Sequence, residues 1–156
     1  MAEMSFWDQR YSEEGLAYGD APSDFLREVA DRIAPGGAVC CLGEGEGRNA
    51  VYLAGRGLQV TAVDQSSVGL RKAQALAASR SVRITTVTAD LSHHDLGTGQ
   101  WDALVSIWCH LPTALRTQVH WAAVKALRPG GVIILEAYTP DQLRFGTGGP
   151  QSTDLL

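Results

Sequence analysis

Short apolar segments alternate with helical patterns along most of this chain, and no other feature limits its possible folds as much. The apolar segments predict strands at about 38–42, 58–63, 82–87, 101–107 and 132–135. The patterns between and before them predict helices at about 24–33, 48–54, 67–79 and 112–127. Strands that alternate with helices form a parallel sheet with helices on both faces. The sequence therefore predicts an α/β fold with a doubly wound, Rossmann-like parallel sheet.

The length of 156 residues fits one domain, which we expect to span 1–156. Within it we expect an N-terminal lid and helix (1–37), a nucleotide-binding core (38–138) and a C-terminal loop (139–156). A chain of this length buries enough surface to fold without disulfides or a metal ion.

Charge and hydropathy exclude two kinds of partner. The formal net charge is −4, and the basic residues never form a run. Because a nucleic-acid-binding surface needs a basic face, no nucleic-acid partner is expected. No apolar run approaches the roughly 20 residues of a membrane span, and the N-terminus lacks the pattern of a signal peptide. No membrane partner is therefore expected.

The three cysteines favour a reduced, cytoplasmic protein with no metal site. No Cys-x-x-Cys spacing occurs, and the count is odd. Cys40 and Cys41 are adjacent in a predicted strand, so we expect them to point to opposite faces and not to bind one ion together.

The sequence of residues 43–50, Gly-Glu-Gly-Glu-Gly-Arg-Asn-Ala, directly follows the first predicted strand. In doubly wound sheets a glycine-rich turn at this place lies at the carboxyl edge, where such folds bind ligands. Glycine lets a ligand touch the backbone, and the next helix begins with unpaired N–H groups. A Gly-x-Gly-x-Gly frame fits Gly43, Gly45 and Gly47, whereas the dinucleotide-type frame fits Gly45, Gly47 and Ala50. The first frame is the closer fit, but the loop alone does not exclude NAD.

Acidic residues follow the second and third predicted strands. Asp64 lies 21 residues after Gly43, and its carboxylate can accept hydrogen bonds from both hydroxyls of a ribose. Asp90 can accept a hydrogen bond from an adenine amino group, while Leu91 packs on the ring. Each acid can instead cap a helix or a loop. Since the glycine-rich loop and both acids follow strands, we expect all three to converge at one edge of the sheet.

The chain resembles the class I S-adenosylmethionine-dependent methyltransferases, and most closely the small-molecule branch that includes the tellurite-resistance and thiopurine methyltransferases. The resemblance covers nearly the whole chain. It rests on Trp7 with Arg10-Tyr11, Tyr18-Gly19 to Phe25-Leu26, residues 43–50, Val63-Asp64, Ala89-Asp90-Leu91, and residues 127–131. It implies the strand order 3-2-1-4-5 and the cofactor S-adenosylmethionine.

The resemblance also assigns the matching residues to parts of the cofactor. Those expected around its methionine part are Gly43, Glu44, Gly45, Gly47, Arg48 and Asn49. Those expected at its ribose and adenine are Asp64, Gln65, Ser66, Ala89, Asp90 and Leu91. Those expected beside the sulfonium are Ser106 and Ile107. Those expected to fold over the cofactor, since aromatic faces favour a cation, are Trp7, Tyr11 and Tyr18. For these aromatic residues, a hydrophobic lid packed on the core is the alternative.

Two features depart from the family pattern. Many members carry an acidic residue two positions before the first glycine, where this chain has Cys41. A hydrogen bond to the cofactor's amino group is therefore either absent or supplied by Glu44. The family's sheet also usually ends with strands 6 and 7, which cannot be placed here, so the chain is either truncated or lacks them by nature. The edge of the fifth strand would then be open to pairing, for example in a homodimer.

The predicted activity is transfer of a methyl group to a small-molecule acceptor, such as a thiol or a metalloid oxyanion, by in-line displacement. The cofactor carries the reactivity, and the protein supplies alignment and a dry pocket. A thiol needs little help, whereas a hydroxyl or an amine can need a base. His110, after the fourth predicted strand, is the candidate catalytic residue, although it can instead line the pocket or bond the backbone.

Two other functions stay open at the level of sequence. An NAD-dependent oxidoreductase is favoured by the dinucleotide-type frame and disfavoured by the lack of a second βαβαβ half. A non-catalytic, methyltransferase-like domain that only binds the cofactor or a partner is favoured by the short C-terminal region.

Overall fold

Helices and strands alternate along residues 5–156, which the computed structural model describes. The elements are α1 (Phe6–Ser12), α2 (Asp24–Val29), β1 (Ala38–Leu42), α3 (Arg48–Gly55), β2 (Gln59–Asp64), α4 (Ser67–Ser79), β3 (Thr85–Thr88), β4 (Trp101–Ile107), α5 (Thr113–Ala126), β5 (Leu127–Glu136) and α6 (Gln142–Phe145). Short 3-10 turns lie at Ala30–Arg32 and Thr153–Leu155. The first four residues of the predicted segment 1–37 lie outside this description.

The strands form one parallel sheet in the order β3-β2-β1-β4-β5. The central strand is β1, in which Val39 pairs with Val60 of β2 and with Ala103 of β4. The predicted Rossmann-like α/β sheet with order 3-2-1-4-5 is therefore confirmed. Because the strands are parallel, their carboxyl ends lie at one edge of the sheet, where the segments that follow β1, β2, β3 and β4 meet.

Hydrophobic clusters cover both faces of the sheet. Adjacent residues of a strand point to opposite faces, and β1 accordingly contributes Cys41 to one cluster and Cys40 to the other. The first cluster contains Leu53 of α3 and Leu70 of α4, whereas the second contains Val119 of α5. The expectation that Cys40 and Cys41 face apart is thereby confirmed.

The third strand begins later than its apolar residues predict. β3 starts at Thr85 instead of residue 82. The Val82 N–H donates to the Ala77 carbonyl, and Ser81 adopts a φ of 56°, so these residues close the end of α4 and do not extend the sheet. Hydrogen bonding at the helix end therefore overrides the β-branched composition of this stretch.

Three other predicted boundaries also differ. The helix predicted from Asp24 to residue 33 is the short α2 followed by a 3-10 turn. Residues 128–131, which lie between the predicted helix and the predicted fifth strand, belong to β5, and its pairing with β4 shifts register between the partners of Trp101 and Ala103. The predicted C-terminal loop contains α6 and a 3-10 turn.

Strand β5 forms one edge of the sheet within residues 5–156. Its apolar residues Ile133 and Leu135 are 40% and 41% exposed. The expected exposure of the fifth strand is therefore present in the part of the chain that the structure describes.

Two kinds of feature are absent from the described residues. No helix between residues 5 and 156 is long and apolar enough to cross a membrane. The same part of the chain contains no group of three or more His, Cys, Asp or Glu side chains that could hold a metal ion.

A substitution at Gly47 tests how closely the glycine-rich loop packs on α4. Gly47 has a φ of 89°, and a Cβ atom there would lie 2.5 Å from the Ala73 Cβ and 2.8 Å from the Ala73 Cα. We expect Gly47→Ala to lower the free energy of unfolding by about 1–2 kcal/mol for the left-handed backbone and by about 1–3 kcal/mol more for overpacking. Urea denaturation measures the loss.

Gly57→Ala is the matched control for this test. Gly57 has a similar φ of 84°, but nothing lies within 4 Å of the position of its Cβ. We expect this variant to lose only the part of the free energy of unfolding that the left-handed backbone accounts for. Equal decreases in the free energy of unfolding in the two variants would contradict the packing of Gly47 against Ala73.

Candidate functional site

Two glycines of the loop after β1 pack closely against other segments at the carboxyl edge of the sheet. A Cβ atom on Gly43 would lie 2.6 Å from the Cys109 Sγ, so these residues are in close contact. Gly45 has a φ of 61°, and a Cβ atom there would overlap the hydroxyl group of Tyr11. Only glycine fits both positions, as the predicted loop requires.

Asp64, the last residue of β2, connects three β–α junctions. Its Oδ2 accepts a hydrogen bond from the Gly45 N–H at 2.8 Å, and its Oδ1 accepts one from the Ser66 N–H at 2.8 Å. Its backbone carbonyl accepts a hydrogen bond from the Ala89 N–H at 2.9 Å. The side chain is buried, and burial raises its pKa. The predicted convergence of these three segments is therefore present in the structure.

The residues after Asp64 begin helix α4 and bind the N-terminal segment. The Ser66 Oγ accepts a hydrogen bond from the Gly69 N–H at 3.1 Å, which caps the helix. The same hydroxyl donates to the Asp8 Oδ1 at 2.5 Å, and this hydrogen bond lowers the pKa of Asp8. The Gln65 side chain is exposed.

The three predicted aromatic residues occupy different environments. Tyr11 is buried against Gly45, and Trp7 stacks on it with ring centroids 5.6 Å apart. Tyr18 is exposed, and the Arg10 guanidinium lies 5.6 Å from its ring centroid. Tyr11 and Trp7 therefore lie at the glycine-rich loop, whereas Tyr18 packs with Arg10 on the surface.

A partly buried ion pair holds the N-terminal segment, and sequence reasoning missed it. The Lys72 Nζ lies 3.0 Å from the Glu46 Oε1, and the Glu46 Oε2 accepts a hydrogen bond from the Ala17 N–H at 2.7 Å. Lys72 also donates to the carbonyls of Glu13 and Gly15 at 2.8 and 2.6 Å. The alternation of Gly and Glu in the loop could not show which glutamate pairs with Lys72 of α4.

The other polar residues of the loop bind the backbone around it. The Glu44 Oε1 accepts a hydrogen bond from the Ala50 N–H at 2.6 Å. Arg48 donates to the Ala21 carbonyl at 3.2 Å, and the Asn49 Oδ1 accepts a hydrogen bond from the Ser23 N–H at 2.9 Å. Arg48 and Asn49 therefore hold the segment that precedes α2.

The segment after β3 presents apolar residues and one exposed acid. Ala89 and Leu91 pack against the second hydrophobic cluster. The Asp90 side chain is exposed, and its Oδ1 accepts hydrogen bonds from the Ser92 N–H and Oγ at 2.8 and 2.7 Å. These hydrogen bonds lower the pKa of Asp90.

A cavity of about 200 Å³ lies beyond the ends of β4 and β5. Its polar lining residues are Ser106, Cys109, His110, Arg116, His120 and Tyr138. Ile107, the last residue of β4, is buried in the first hydrophobic cluster. Of the residues expected beside the sulfonium, Ser106 therefore faces the cavity and Ile107 packs in the core.

His110 has one bonded and one unbonded ring nitrogen. Its Nδ1 lies 2.9 Å from the Leu155 carbonyl, whereas its Nε2 is buried and has no hydrogen-bond partner among the described residues. Burial lowers the pKa of His110, which favours the neutral ring. Its ring stacks on Tyr138 with centroids 5.5 Å apart, and Tyr138 in turn packs on Trp108 at 4.5 Å.

Comparison with known proteins defines the class of this fold and site. A family described as "Methyltransferase domain" matches residues 39–131, which is more than half of the chain. The fold predicted from the sequence is thus that of a methyltransferase domain. The chain belongs to this methyltransferase-domain family. No curated protein matches the sequence.

Several solved structures are similar to the chain. One is a SAM-dependent methyltransferase from Geobacter sulfurreducens in complex with S-adenosyl-L-homocysteine, with a TM-score of 0.67, 21% identity, and coverage of 85% of this chain and 55% of that one. Another is a TehB-like SAM-dependent methyltransferase from Corynebacterium glutamicum, with a TM-score of 0.62, 22% identity, and coverage of 75% and 64%.

A third similar structure is described under the heading of the conversion of a disulfide bond into a thioacetal group during echinomycin biosynthesis. Its TM-score is 0.64, its identity 26%, and the match covers 72% of this chain and 47% of that one. The present chain thus spans about half to two-thirds of the length of these proteins.

The buried carboxyl of Glu44 makes the stability of the loop depend on pH. Burial raises its pKa from 4.5 to about 7, so the folded state favours the protonated form. This contribution to stability is complete below pH 4.5 and is lost as the pH rises to about 7. We expect the free energy of unfolding to fall by up to about 3 kcal/mol more in the wild type than in Glu44→Gln over this range.

Urea denaturation at a series of pH values measures this difference. Glu14→Gln is the control, because Glu14 is an exposed glutamate, and we expect it to keep the wild-type slope. A Glu44→Gln variant with the same slope as the wild type would contradict the burial of an ionisable carboxyl at this position.

Proposed function

We propose that this protein transfers a methyl group from S-adenosylmethionine to a small-molecule acceptor, with a thiol or a metalloid oxyanion as the favoured acceptor. The position of Asp64 carries the proposal. Its carboxylate bonds the N–H groups of Gly45 and Ser66, and its carbonyl bonds the N–H of Ala89. The loop, the acid and the segment after β3 therefore lie side by side, as the binding of one adenosyl ligand requires.

The residues at this edge suit the chemistry of the cofactor. Gly43 and Gly45 have no side chain of their own, so the methionine part can approach their backbone beside Cys109 and Tyr11. Each oxygen of Asp64 accepts one hydrogen bond from the backbone, and a carboxylate oxygen can accept a second, here from a ribose hydroxyl. Ala89 and Leu91 provide an apolar surface for adenine. Asp90 would bind the adenine amino group through its Oδ2, because its Oδ1 is bonded to Ser92.

Glu44 supplies the acidic group that the family pattern places at position 41. Its carboxylate lies near enough to Cys41 that its charge, after burial, raises the pKa of that thiol. Glu44 is also bonded to the first turn of α3 through the Ala50 N–H. In this proposal the charged form of Glu44 binds the amino group of the cofactor's methionine part.

When bound, S-adenosylmethionine supplies a methyl group whose carbon bonds to the acceptor while the electron pair of the broken bond stays on the cofactor's sulfur. The chain's own residues orient the acceptor and receive its proton. The His110 Nε2 is the receiving atom, because it has no hydrogen-bond partner among the described residues and because His110 lines the cavity together with Ser106. Cys109 stays protonated, since burial raises its pKa to about 12, and it does not act as a nucleophile.

Two similar proteins support the choice of acceptor. The protein at 26% identity belongs to a conversion of a disulfide into a thioacetal, which is chemistry at sulfur. The Corynebacterium protein is described as TehB-like. We place the chain in the small-molecule branch with the tellurite-resistance and thiopurine methyltransferases. We also propose a cytoplasmic location, which the free thiols of Cys40, Cys41 and Cys109 support.

Removing the Asp64 carboxylate tests the cofactor site. We expect Asp64→Ala to weaken binding of S-adenosylhomocysteine by about 1–3 kcal/mol, the usual cost of losing a charged hydrogen-bond acceptor. Isothermal titration calorimetry measures the affinity, and circular dichroism shows that the variant is folded. Asp31→Ala, which removes an exposed carboxylate, is the control and should bind as the wild type does.

Three results would overturn the proposal. A folded Asp64→Ala variant with unchanged affinity would place the ligand elsewhere. Binding of NADH in place of S-adenosylhomocysteine would favour an oxidoreductase. Tight binding of S-adenosylmethionine without formation of S-adenosylhomocysteine, across a panel of thiols, metalloid oxyanions and phenols, would favour a non-catalytic domain.

A further inference from the structure

The cavity beyond β4 and β5 lies directly beside the glycine-rich loop. Cys109 lines the cavity, and its Cβ and Sγ also lie against Gly43. The cavity is therefore next to the backbone that the proposed function assigns to the cofactor, which makes it the candidate site for the methyl acceptor.

Arg116 brings a positive charge to this cavity and has no salt-bridge partner among the described residues. The exposed Asp154, whose pKa Arg116 helps to lower, does not line the cavity. The Arg116 guanidinium donates only to the neutral Leu111 carbonyl and Thr113 Oγ1, at 3.4 and 3.2 Å. Among the described residues, no carboxylate lies within 4.0 Å of it. The side chain is half-buried, and a partly buried charge gains from an anionic partner.

His110 favours a ligand that donates a hydrogen bond. A carbonyl oxygen only accepts hydrogen bonds, so the Nδ1 that faces the Leu155 carbonyl carries the proton. In the neutral ring the Nε2 then holds a lone pair, and this atom is buried without a partner. The matching group on a ligand is a proton donor, such as a thiol S–H, and not an anion.

The size of the cavity limits the ligand to a small molecule. Its volume of about 200 Å³ lies below the roughly 300 Å³ at which pockets for drug-sized ligands begin. Because His110 and Arg116 both line this cavity, one small ligand can contact both side chains.

We propose that the acceptor is a small acidic thiol, whose S–H donates to the His110 Nε2 while its anionic group binds Arg116. This inference rests on the proposed methyl transfer and narrows its acceptor class. Arg116 is the residue that determines specificity, and His110 is the residue that receives the proton of the thiol.

A series of small thiols that differ in charge tests this specificity. The probes are 3-mercaptopropionate, 2-mercaptoethanol and cysteamine. Besides the thiol, they carry an anionic carboxylate, a neutral hydroxyl and a cationic ammonium group, respectively. We expect kcat/KM to fall in that order, with a gap of roughly tenfold to a hundredfold between the anionic and the neutral thiol, as for one charge-assisted hydrogen bond. Equal values for the three thiols would overturn the proposal.

Variants of Arg116 assign the preference to one side chain. We expect Arg116→Gln to raise KM for 3-mercaptopropionate until it equals the KM of the same variant for 2-mercaptoethanol. Arg116→Lys keeps the charge and should keep most of the preference, which a purely structural role would not predict. Arg27→Gln, on the exposed face of α2, is the control. A preference that survives in Arg116→Gln would overturn the assignment.

Binding of the products separates this inference from the proposed function. We expect 3-(methylthio)propionate to bind more tightly than 2-(methylthio)ethanol in an NMR titration, and Arg116→Gln to abolish the difference. This measurement needs no turnover. If the protein binds S-adenosylhomocysteine but shows no preference for the anionic product, the proposal of an acidic thiol is wrong and the proposed methyl transfer stands. If it prefers the anionic product but does not bind S-adenosylhomocysteine, only the proposed methyl transfer is wrong.

Discussion

The hydrogen bonds between Asp64 and the backbone of the glycine-rich loop hold the site together. A buried carboxylate is costly unless it is hydrogen-bonded, and here the N–H groups of Gly45 and Ser66 provide the bonds. They connect the end of β1 to the end of β2, and the Ala89 N–H connects the end of β3 to the same residue. The architecture of the carboxyl edge therefore depends on one side chain and its backbone.

The N-terminal segment is held against this edge by polar contacts that are widely separated in sequence. Lys72 pairs with Glu46 and bonds two carbonyls of the segment, and Ser66 bonds Asp8. Buried Ser23 adds bonds to Asn49 of α3 and to Glu136 of β5. Because these contacts place Tyr11 against Gly45, the segment covers the loop instead of extending into solvent.

The opposite end of the site is built from three aromatic rings and Arg116. Trp108, His110 and Tyr138 pack together beyond β4 and β5, and this packing keeps the Nε2 of His110 away from water. One cavity therefore combines a proton-accepting nitrogen with a positive charge. Cys109 both lines the cavity and contacts the glycine-rich loop.

The sequence by itself determined the alternation of strands and helices, the parallel order of the sheet through its family pattern, and the place of Gly43, Gly45 and Asp64 at its carboxyl edge. These follow from local residue pattern, because apolar runs, glycine spacing and strand ends are properties of neighbouring residues. The later start of β3 was not predictable, since a helix-end hydrogen bond from Val82 competes with its β-branched composition. Only the tertiary structure decided which glutamate of the loop is paired with Lys72, and which cation lies beside His110. Those contacts join residues that are distant in the chain, and their geometry depends on packing that no local pattern encodes.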